Sequence, residues 1–129
     1  MAKLVDKYGG WALVTGGSQG IGKGFARRLA SEGFNVALTA RREEILAQTA
    51  GELENEFGVK TRTLALDMTE PGSIERVKTF VEDLEIGFLV NNLAFSRPAP
   101  FLDLSEKNIV KQVYVNVEMV ARFTSYFGR

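Results

Sequence analysis

Gly16, Gly20 and Gly22 form a Gly-x-x-x-Gly-x-Gly pattern, the arrangement in this sequence that most directly suggests chemistry. The apolar run Trp11–Val14 precedes it and predicts a buried strand, and apolar residues at helical spacing follow it. A turn between a strand and a helix directs backbone N–H groups and the positive end of the helix dipole at a phosphate. Glycine suits such a turn because a Cβ would block both the turn and a pyrophosphate. The run therefore predicts a dinucleotide-binding turn, and the alternative is a glycine-rich turn without a ligand.

The composition excludes several kinds of chemistry. The 129 residues include no cysteine and no histidine, so disulfides, thiolate nucleophiles, zinc fingers and histidine-based triads are ruled out. No carboxylate spacing suggests a metal site. The 16 basic and 16 acidic residues cancel, which predicts no nucleic-acid or membrane partner. The start of the chain, residues 1–6, lacks the apolar core of a signal peptide, which favours a cytoplasmic location.

Short β-type runs alternate with helical patterns along the chain. Strands are expected at the four runs Trp11–Thr15, Phe34–Thr39, Thr61–Leu66 and Ile86–Val90. Helices are expected between them, over about residues 21–32, 42–57 and from Pro71 to Leu84. This alternation predicts a single α/β domain over residues 1–129. It would be a Rossmann-type, doubly wound parallel sheet of about four strands in the order 3-2-1-4, with helices on both faces.

A last helical pattern begins after Ser105, a residue suited to an N-cap, and runs to about Phe127. Apolar residues occupy two of its faces, one through Val113 and Val117 and the other through Met119 and Phe123. A helix that is apolar on most sides is normally buried on most sides, so more chain or a partner is expected to cover it. The pattern leaves both possibilities open, and the expectation of a homo-oligomer that pairs through this helix follows from the family resemblance described below.

The end of the second expected strand indicates which dinucleotide would bind. An NAD-binding site usually places an acid about 20 residues after the glycines to accept a hydrogen bond from the ribose 2′-OH, and Ala40 stands there. Arg41 and Arg42 follow, and a guanidinium suits a 2′-phosphate. The sequence thus favours NADP(H) over NAD(H). The alternative is that both arginines belong to a solvated helix start.

Four motifs in order resemble the amino-terminal half of the short-chain dehydrogenase/reductase family. They are Thr15-Gly16-Gly17-Ser18-Gln19-Gly20-Ile21-Gly22, Leu66-Asp67-Met68, Asn91-Asn92-Leu93-Ala94 and Val115-Asn116-Val117. The resemblance implies cofactor contacts from the first three motifs, at Thr15, Gly16, Ser18, Gln19, Gly20, Ile21, Gly22, Asp67, Met68, Asn91, Leu93 and Ala94.

The resemblance also implies that Asn116 helps to organise the active-site proton relay. A polar residue among valines is costly to bury without partners, so the alternative for Asn116 is a satisfied core amide. For Asp67, the alternative to an adenine contact is a cap on the following helix.

Two departures from the family pattern stand out. Leu93-Ala94 replaces the usual Ala-Gly, so the ribose meets a Cβ where the family offers none. The family's Tyr-x-x-x-Lys, which moves the proton as hydride passes between nicotinamide and carbonyl, is missing, since no tyrosine here has a lysine four residues later. The sequence corresponds to a cofactor half without its acid–base half.

Three functions are compatible with these patterns. The first is an NADP(H)-dependent oxidoreductase acting on a small carbonyl or alcohol substrate, present as its cofactor-binding half and inactive alone. Its opening, Tyr8-Gly9-Gly10-Trp11-Ala12-Leu13-Val14-Thr15-Gly16, resembles the branch that contains 3-ketoacyl and hydroxysteroid reductases. The second is a non-catalytic dinucleotide-binding or interaction module. The third, a flavodoxin-like regulator, leaves the glycine pattern and the paired asparagines unexplained.

Overall fold

Four parallel strands in the order β3-β2-β1-β4 form the centre of the molecule. The computed structural model describes residues 4–129, and residues 1–3, on which part of the cytoplasmic prediction rests, lie outside the described residues. The strands are β1 (Trp11–Thr15), β2 (Asn35–Ala40), β3 (Thr61–Ala65) and β4 (Ile86–Val90). The predicted fold class and strand order are confirmed.

Helices connect the strands and follow the last of them. They are α1 (Leu4–Tyr8), α2 (Gly20–Ser31), α3 (Glu43–Phe57), α4 (Ser73–Phe80), α5 (Glu106–Val113) and α6 (Met119–Phe127), with a 3₁₀ turn at Phe101–Asp103 and a π-helical segment at Tyr114–Glu118. Within residues 4–129, no helix combines the length and apolarity needed to cross a membrane.

Successive side chains of a strand point to opposite faces of the sheet. Because successive residues of β1 and β2 are apolar, both faces of the sheet are apolar. Val14 and Leu38 lie in one core cluster, which is completed mainly by α2 and α3. Leu13 and Ala37 lie in the other, with residues of α4 and α6. The register Trp11↔Asn35 to Thr15↔Thr39 brings β1 and β2 to an end at the same edge of the sheet. This double burial explains why the strands read as continuous apolar runs.

Glycines in the left-handed region set two helix boundaries. Gly58, at φ +69°, ends α3 where the sequence predicts a stop. Gly72, at φ +82°, immediately precedes α4, so the prediction of a helix starting at Pro71 is wrong by two residues. Pro71 belongs instead to the preceding turn, and α4 ends at Phe80 rather than at Leu84.

The last helical segment begins as predicted, because the Ser105 hydroxyl accepts a hydrogen bond from the Asn108 N–H at 3.1 Å. Met119 and Phe123 are buried in the core, with exposed fractions of 3% and 0%. The opposite apolar face is open, since Val113 and Val117 are 54% and 61% exposed. One of the two predicted apolar faces therefore packs on the sheet, and the other has no cover in residues 4–129.

Phe123 closes the core on the α6 side, and shortening it should destabilise the whole fold. For Phe123→Ala we expect a loss of about 3–5 kcal/mol in the free energy of unfolding, because a fully buried ring leaves a cavity. Urea unfolding followed by far-UV circular dichroism measures this. The control Val110→Ala, at a position that is 61% exposed, should change stability by less than about 0.5 kcal/mol. Equal effects of the two substitutions would contradict the packing described.

Candidate cofactor-binding site

The glycine turn begins where β1 ends and is tied to β2 by its backbone. The N–H groups of Gly16 and Gly17 both donate to the Thr39 carbonyl oxygen, at 2.9 and 3.1 Å. Gly16 has φ +70°, a conformation that favours glycine. The chain therefore turns away from the sheet at its carboxyl edge, the edge at which ligands bind in open α/β sheets.

Gly20 and Gly22 are needed for different reasons. Gly20 has φ +57°, and a Cβ there would meet no protein atom within 4 Å, so its side faces open space. A Cβ on Gly22 would lie only 2.2 Å from the Gly16 carbonyl oxygen. Gly20 keeps space free outside the turn, whereas Gly22 lets α2 pack against the turn itself.

The start of α2 is suited to an anion. Gln19 occupies the N-cap with extended backbone and makes no side-chain capping hydrogen bond, and the first turn contains no acidic residue. The N–H groups of a helix's first turn have no partner within the helix, so they are available to a ligand. Together with the helix dipole, they favour a phosphate at this position.

The end of β4 braces the same turn from the other side. The Asn92 side-chain amide donates to the Gly16 carbonyl at 3.0 Å. The Thr15 hydroxyl donates to the Val90 carbonyl and accepts from the Leu93 N–H, both at 3.3 Å. Asn92 is absent from the predicted contacts, and only its place beside Asn91 in the motif could have pointed to it.

A recess of about 120 Å³ lies over the carboxyl ends of the strands. Its lining brings together residues that are far apart in the sequence, namely Gly16, residues 39–41, residues 66–69, residues 93–95 and Val115. Six predicted cofactor contacts are among them: Gly16, Arg41, Asp67, Met68, Leu93 and Ala94. Ser18, Gln19, Gly20, Ile21 and Gly22 lie at the turn and the start of α2, outside this recess.

The lining of the recess has the composition of a small-molecule pocket. Its lining is mostly apolar, with a few polar groups, as expected for a site that holds a base. The Thr39 hydroxyl is buried and has no hydrogen-bond partner among residues 4–129. An unpartnered buried hydroxyl is costly, and the oxygen of this one is enclosed by protein atoms rather than open to the recess.

Asp67 has its carboxylate held in place by its neighbour. Its Oδ1 accepts hydrogen bonds from the Thr69 N–H at 2.9 Å and the Thr69 hydroxyl at 2.7 Å. These bonds lower the pKa of Asp67, with smaller contributions from the charges of Arg41 and Lys111, against the opposing effect of burial. The carboxylate forms a local turn and does not cap α4, which starts only at Ser73. It stays ionised and faces the recess.

The two arginines after β2 occupy different places. Arg41 lines the recess, and Arg42 is the N-cap residue of α3, with its carbonyl accepting from the Leu46 N–H at 3.0 Å. Among the described residues, neither guanidinium is part of an ion pair. Arg41 is therefore the arginine placed to meet a ligand in the recess.

Asn116 lies in the π-helical segment and is exposed, so the alternative of a buried core amide does not hold. Its side chain reaches across to the loop after β4, where Oδ1 accepts from the Phe95 N–H at 2.9 Å and Nδ2 donates to the Phe95 carbonyl at 2.8 Å. Asn91 points elsewhere and donates to the Thr124 hydroxyl at 3.3 Å. Asn116 thus joins the last helix to the loop beside the recess, and π segments are frequent at functional sites.

Fold and turn together define a Rossmann-type α/β protein with a glycine turn at the carboxyl edge of its sheet. A model of the short chain dehydrogenase family matches residues 10–127. The chain belongs to this family, whose members bind nicotinamide dinucleotides, and the resemblance found in the motifs is confirmed.

Named relatives give the same family. The chain is 41% identical over 128 residues to a very-long-chain 3-oxoacyl-CoA reductase of Anas platyrhynchos, covering 95% of this chain and 41% of that protein. It is 39% identical over 120 residues to the Homo sapiens protein of the same name, covering 90% and 38%. The chain therefore spans about two fifths of the length of these curated relatives.

Solved structures match closely in shape. A 7beta-hydroxysteroid dehydrogenase superposes with a TM-score of 0.92 at 32% identity, over 97% of this chain and 49% of that one. A short-chain dehydrogenase from Sphingobium yanoikuyae in complex with NADPH gives a TM-score of 0.84 at 30% identity, over 91% and 46%. The chain therefore corresponds to about half of the length of each of these two structures.

Two glycines of α2 offer a direct test of the turn. Gly22→Ala should lower the free energy of unfolding by about 1–3 kcal/mol, because its Cβ would press against the Gly16 carbonyl. Gly24→Ala is the matched control in the same helix, where a Cβ meets nothing within 4 Å. It should stabilise the chain by about 0.4–1 kcal/mol. Chemical unfolding curves measure both, and a neutral Gly22→Ala would contradict the close contact between α2 and the turn.

Proposed function

We propose that these 129 residues bind NADP(H) within an oxidoreductase that interconverts a carbonyl and an alcohol. The observation that carries the proposal is the pair of residues at the end of β2. Ala40 offers no acceptor for a ribose 2′-OH, while Arg41 places a cation at the recess. This combination favours a 2′-phosphate over a free hydroxyl.

Contacts of the neighbouring residues support the same assignment. Arg41 is exposed and has no carboxylate bound to it among residues 4–129, so its guanidinium is free to pair with a phosphate. Arg41 and Asp67 both line the recess, and the charge of Arg41 helps to lower the pKa of Asp67. A short-chain dehydrogenase from Sphingobium yanoikuyae, to which this chain is structurally similar, is in complex with NADPH.

Each region of the site has its own task in this proposal. The first turn of α2 binds the pyrophosphate, Asp67 offers a hydrogen-bond acceptor to the adenosine, and Val115 forms an apolar wall. When bound, the nicotinamide supplies or accepts the hydride. Asn116 is a positioning residue, because both polar ends of its side chain are engaged by Phe95.

Proton transfer is not assigned to these residues. The sequence holds no tyrosine followed four residues later by a lysine, and both polar atoms of the Asn116 side chain are hydrogen-bonded to the Phe95 backbone. The names of the curated relatives support a 3-oxoacyl thioester as the carbonyl substrate of the whole protein. We assign cofactor binding to this chain. The substrate class is assigned to a longer protein, in which this chain would form the cofactor-binding part.

The choice of cofactor is tested by Arg41→Ala. NADPH should bind more weakly by about 1–3 kcal/mol, as for a lost charged hydrogen bond, while NADH affinity stays nearly unchanged. Titration of intrinsic fluorescence or calorimetry gives both dissociation constants. Arg28→Ala, at an exposed position in the last turn of α2, is the charge-matched control and should alter neither. An equal loss for both cofactors would overturn the assignment of Arg41 to the 2′-phosphate.

We also propose that copies of this chain associate through the open face of the last helices. Val113 and Val117 form an exposed apolar stripe there, and light scattering should give a mass above 14.2 kDa that rises with concentration. The double variant Val113→Asp, Val117→Asp should shift the chain toward the monomer, and Ala47→Asp on the exposed side of α3 should not. A monomer at every concentration would contradict this proposal.

A further inference from the structure

Thr49 connects helix α3 to the glycine turn. Its side chain is buried, with an exposed fraction of 1%, and its hydroxyl donates to the Ser18 carbonyl at 3.2 Å. A threonine inside a helix commonly bonds to a carbonyl of its own preceding turn. Here the hydroxyl reaches a residue 31 positions earlier in the chain, in the middle of the turn.

The rest of the α2–α3 contact lies on the surface. Lys23 pairs with Glu52 at 2.9 Å, and one helical turn further along both helices Arg27 pairs with Glu56 at 2.8 Å. Thr49 precedes Glu52 by three residues and so lies on the same face of α3, at the end nearest the turn. Exposed ion pairs contribute little to stability. The buried Thr49 hydroxyl is the group of α3 that bonds to the glycine turn itself.

The bond to Ser18 fixes the direction of one peptide group. The Ser18 carbonyl belongs to the peptide that also carries the Gln19 N–H, and the two groups of a trans peptide point in opposite directions. No peptide bond among the described residues is cis. Because the carbonyl is held toward α3, the Gln19 N–H points away from it, immediately before the first turn of α2.

The start of helix α3 also lies close to Arg41, the arginine that lines the recess. Arg42 is its N-cap residue and Arg41 precedes it, so the same helix adjoins Arg41 at its start and holds the turn through Thr49. The positions of the recess cation and of the glycine turn are thereby linked through one rigid element.

We propose that Thr49 is a positioning residue for the pyrophosphate site. By holding the Ser18–Gln19 peptide, its hydroxyl keeps the turn in the conformation that accepts the pyrophosphate, and so raises affinity for any nicotinamide dinucleotide. This inference rests on the proposed function, because it concerns the same cofactor.

The test compares Thr49→Val, which keeps the shape and loses the hydroxyl, with Thr49→Ser, which keeps the hydroxyl. Dissociation constants for NADPH and NADH are measured at 10 °C on samples shown by circular dichroism to be folded. Thr49→Val should weaken both cofactors by a similar factor of about five to ten, as expected for one lost hydrogen bond. Thr49→Ser should bind both within about twofold of the unmodified chain. Thr49→Ala gives the same comparison if the valine variant does not fold.

Glu56→Gln is the control, because it removes the ion pair with Arg27 on the same helix face without touching the turn. It should leave both dissociation constants unchanged. A Thr49→Val chain that melts earlier but binds both cofactors normally would overturn the proposal, since the hydroxyl would then only stabilise the fold. A loss confined to NADPH would also overturn it, because the pyrophosphate is common to both cofactors. If the unmodified chain bound neither dinucleotide, the proposed function itself would fail.

Discussion

The carboxyl edge of the sheet depends on one constraint, the hydrogen bonding of Gly16 to both strands that flank β1. The N–H groups of Gly16 and Gly17 bond to Thr39 on β2, and the Gly16 carbonyl accepts from Asn92 beyond β4. A side chain on Gly22 would displace this carbonyl. The end of β1, the start of α2 and the recess therefore meet at Gly16, and a Cβ on Gly22 would disturb all three.

Around this clamp, the site is divided between rigid and open parts. The turn is held by buried and partly buried hydrogen bonds, including the partly buried bond from Thr49 to Ser18. The rim of the recess, in contrast, consists of exposed or half-buried groups such as Arg41 and Asp67, whose charges act on each other. A preorganised turn lowers the entropy cost of binding a phosphate, while a charged rim selects among phosphates. The division is consistent with a domain that binds a shared cofactor core and distinguishes its variants at the edge.

Much of the fold could be predicted, because its signals are local. The strands β1 and β4 agree with the predicted runs, and the Ser105 cap and the Gly58 stop lie where their chemistry places them. The start of α4 was not predictable from Pro71, since a glycine at φ +82° delays the helix. For Asn116 the sequence left both an active-site role and a buried core amide open, because neighbouring valines on a helix do not reveal which face of it meets the sheet. The structure places Asn116 at the surface.

The sequence by itself determined the alternation of strands and helices, the glycine pattern and the presence of arginine rather than an acid after β2. Those features depend on residues close together in the chain, whose conformational preferences act locally. Only the tertiary structure decided that Arg41 and not Arg42 lines the recess, that Asn92 and Thr49 hold the turn, and that Asn116 engages Phe95. Each of these contacts depends on how separate elements pack against one another, so it cannot be predicted from the spacing of residues along the chain.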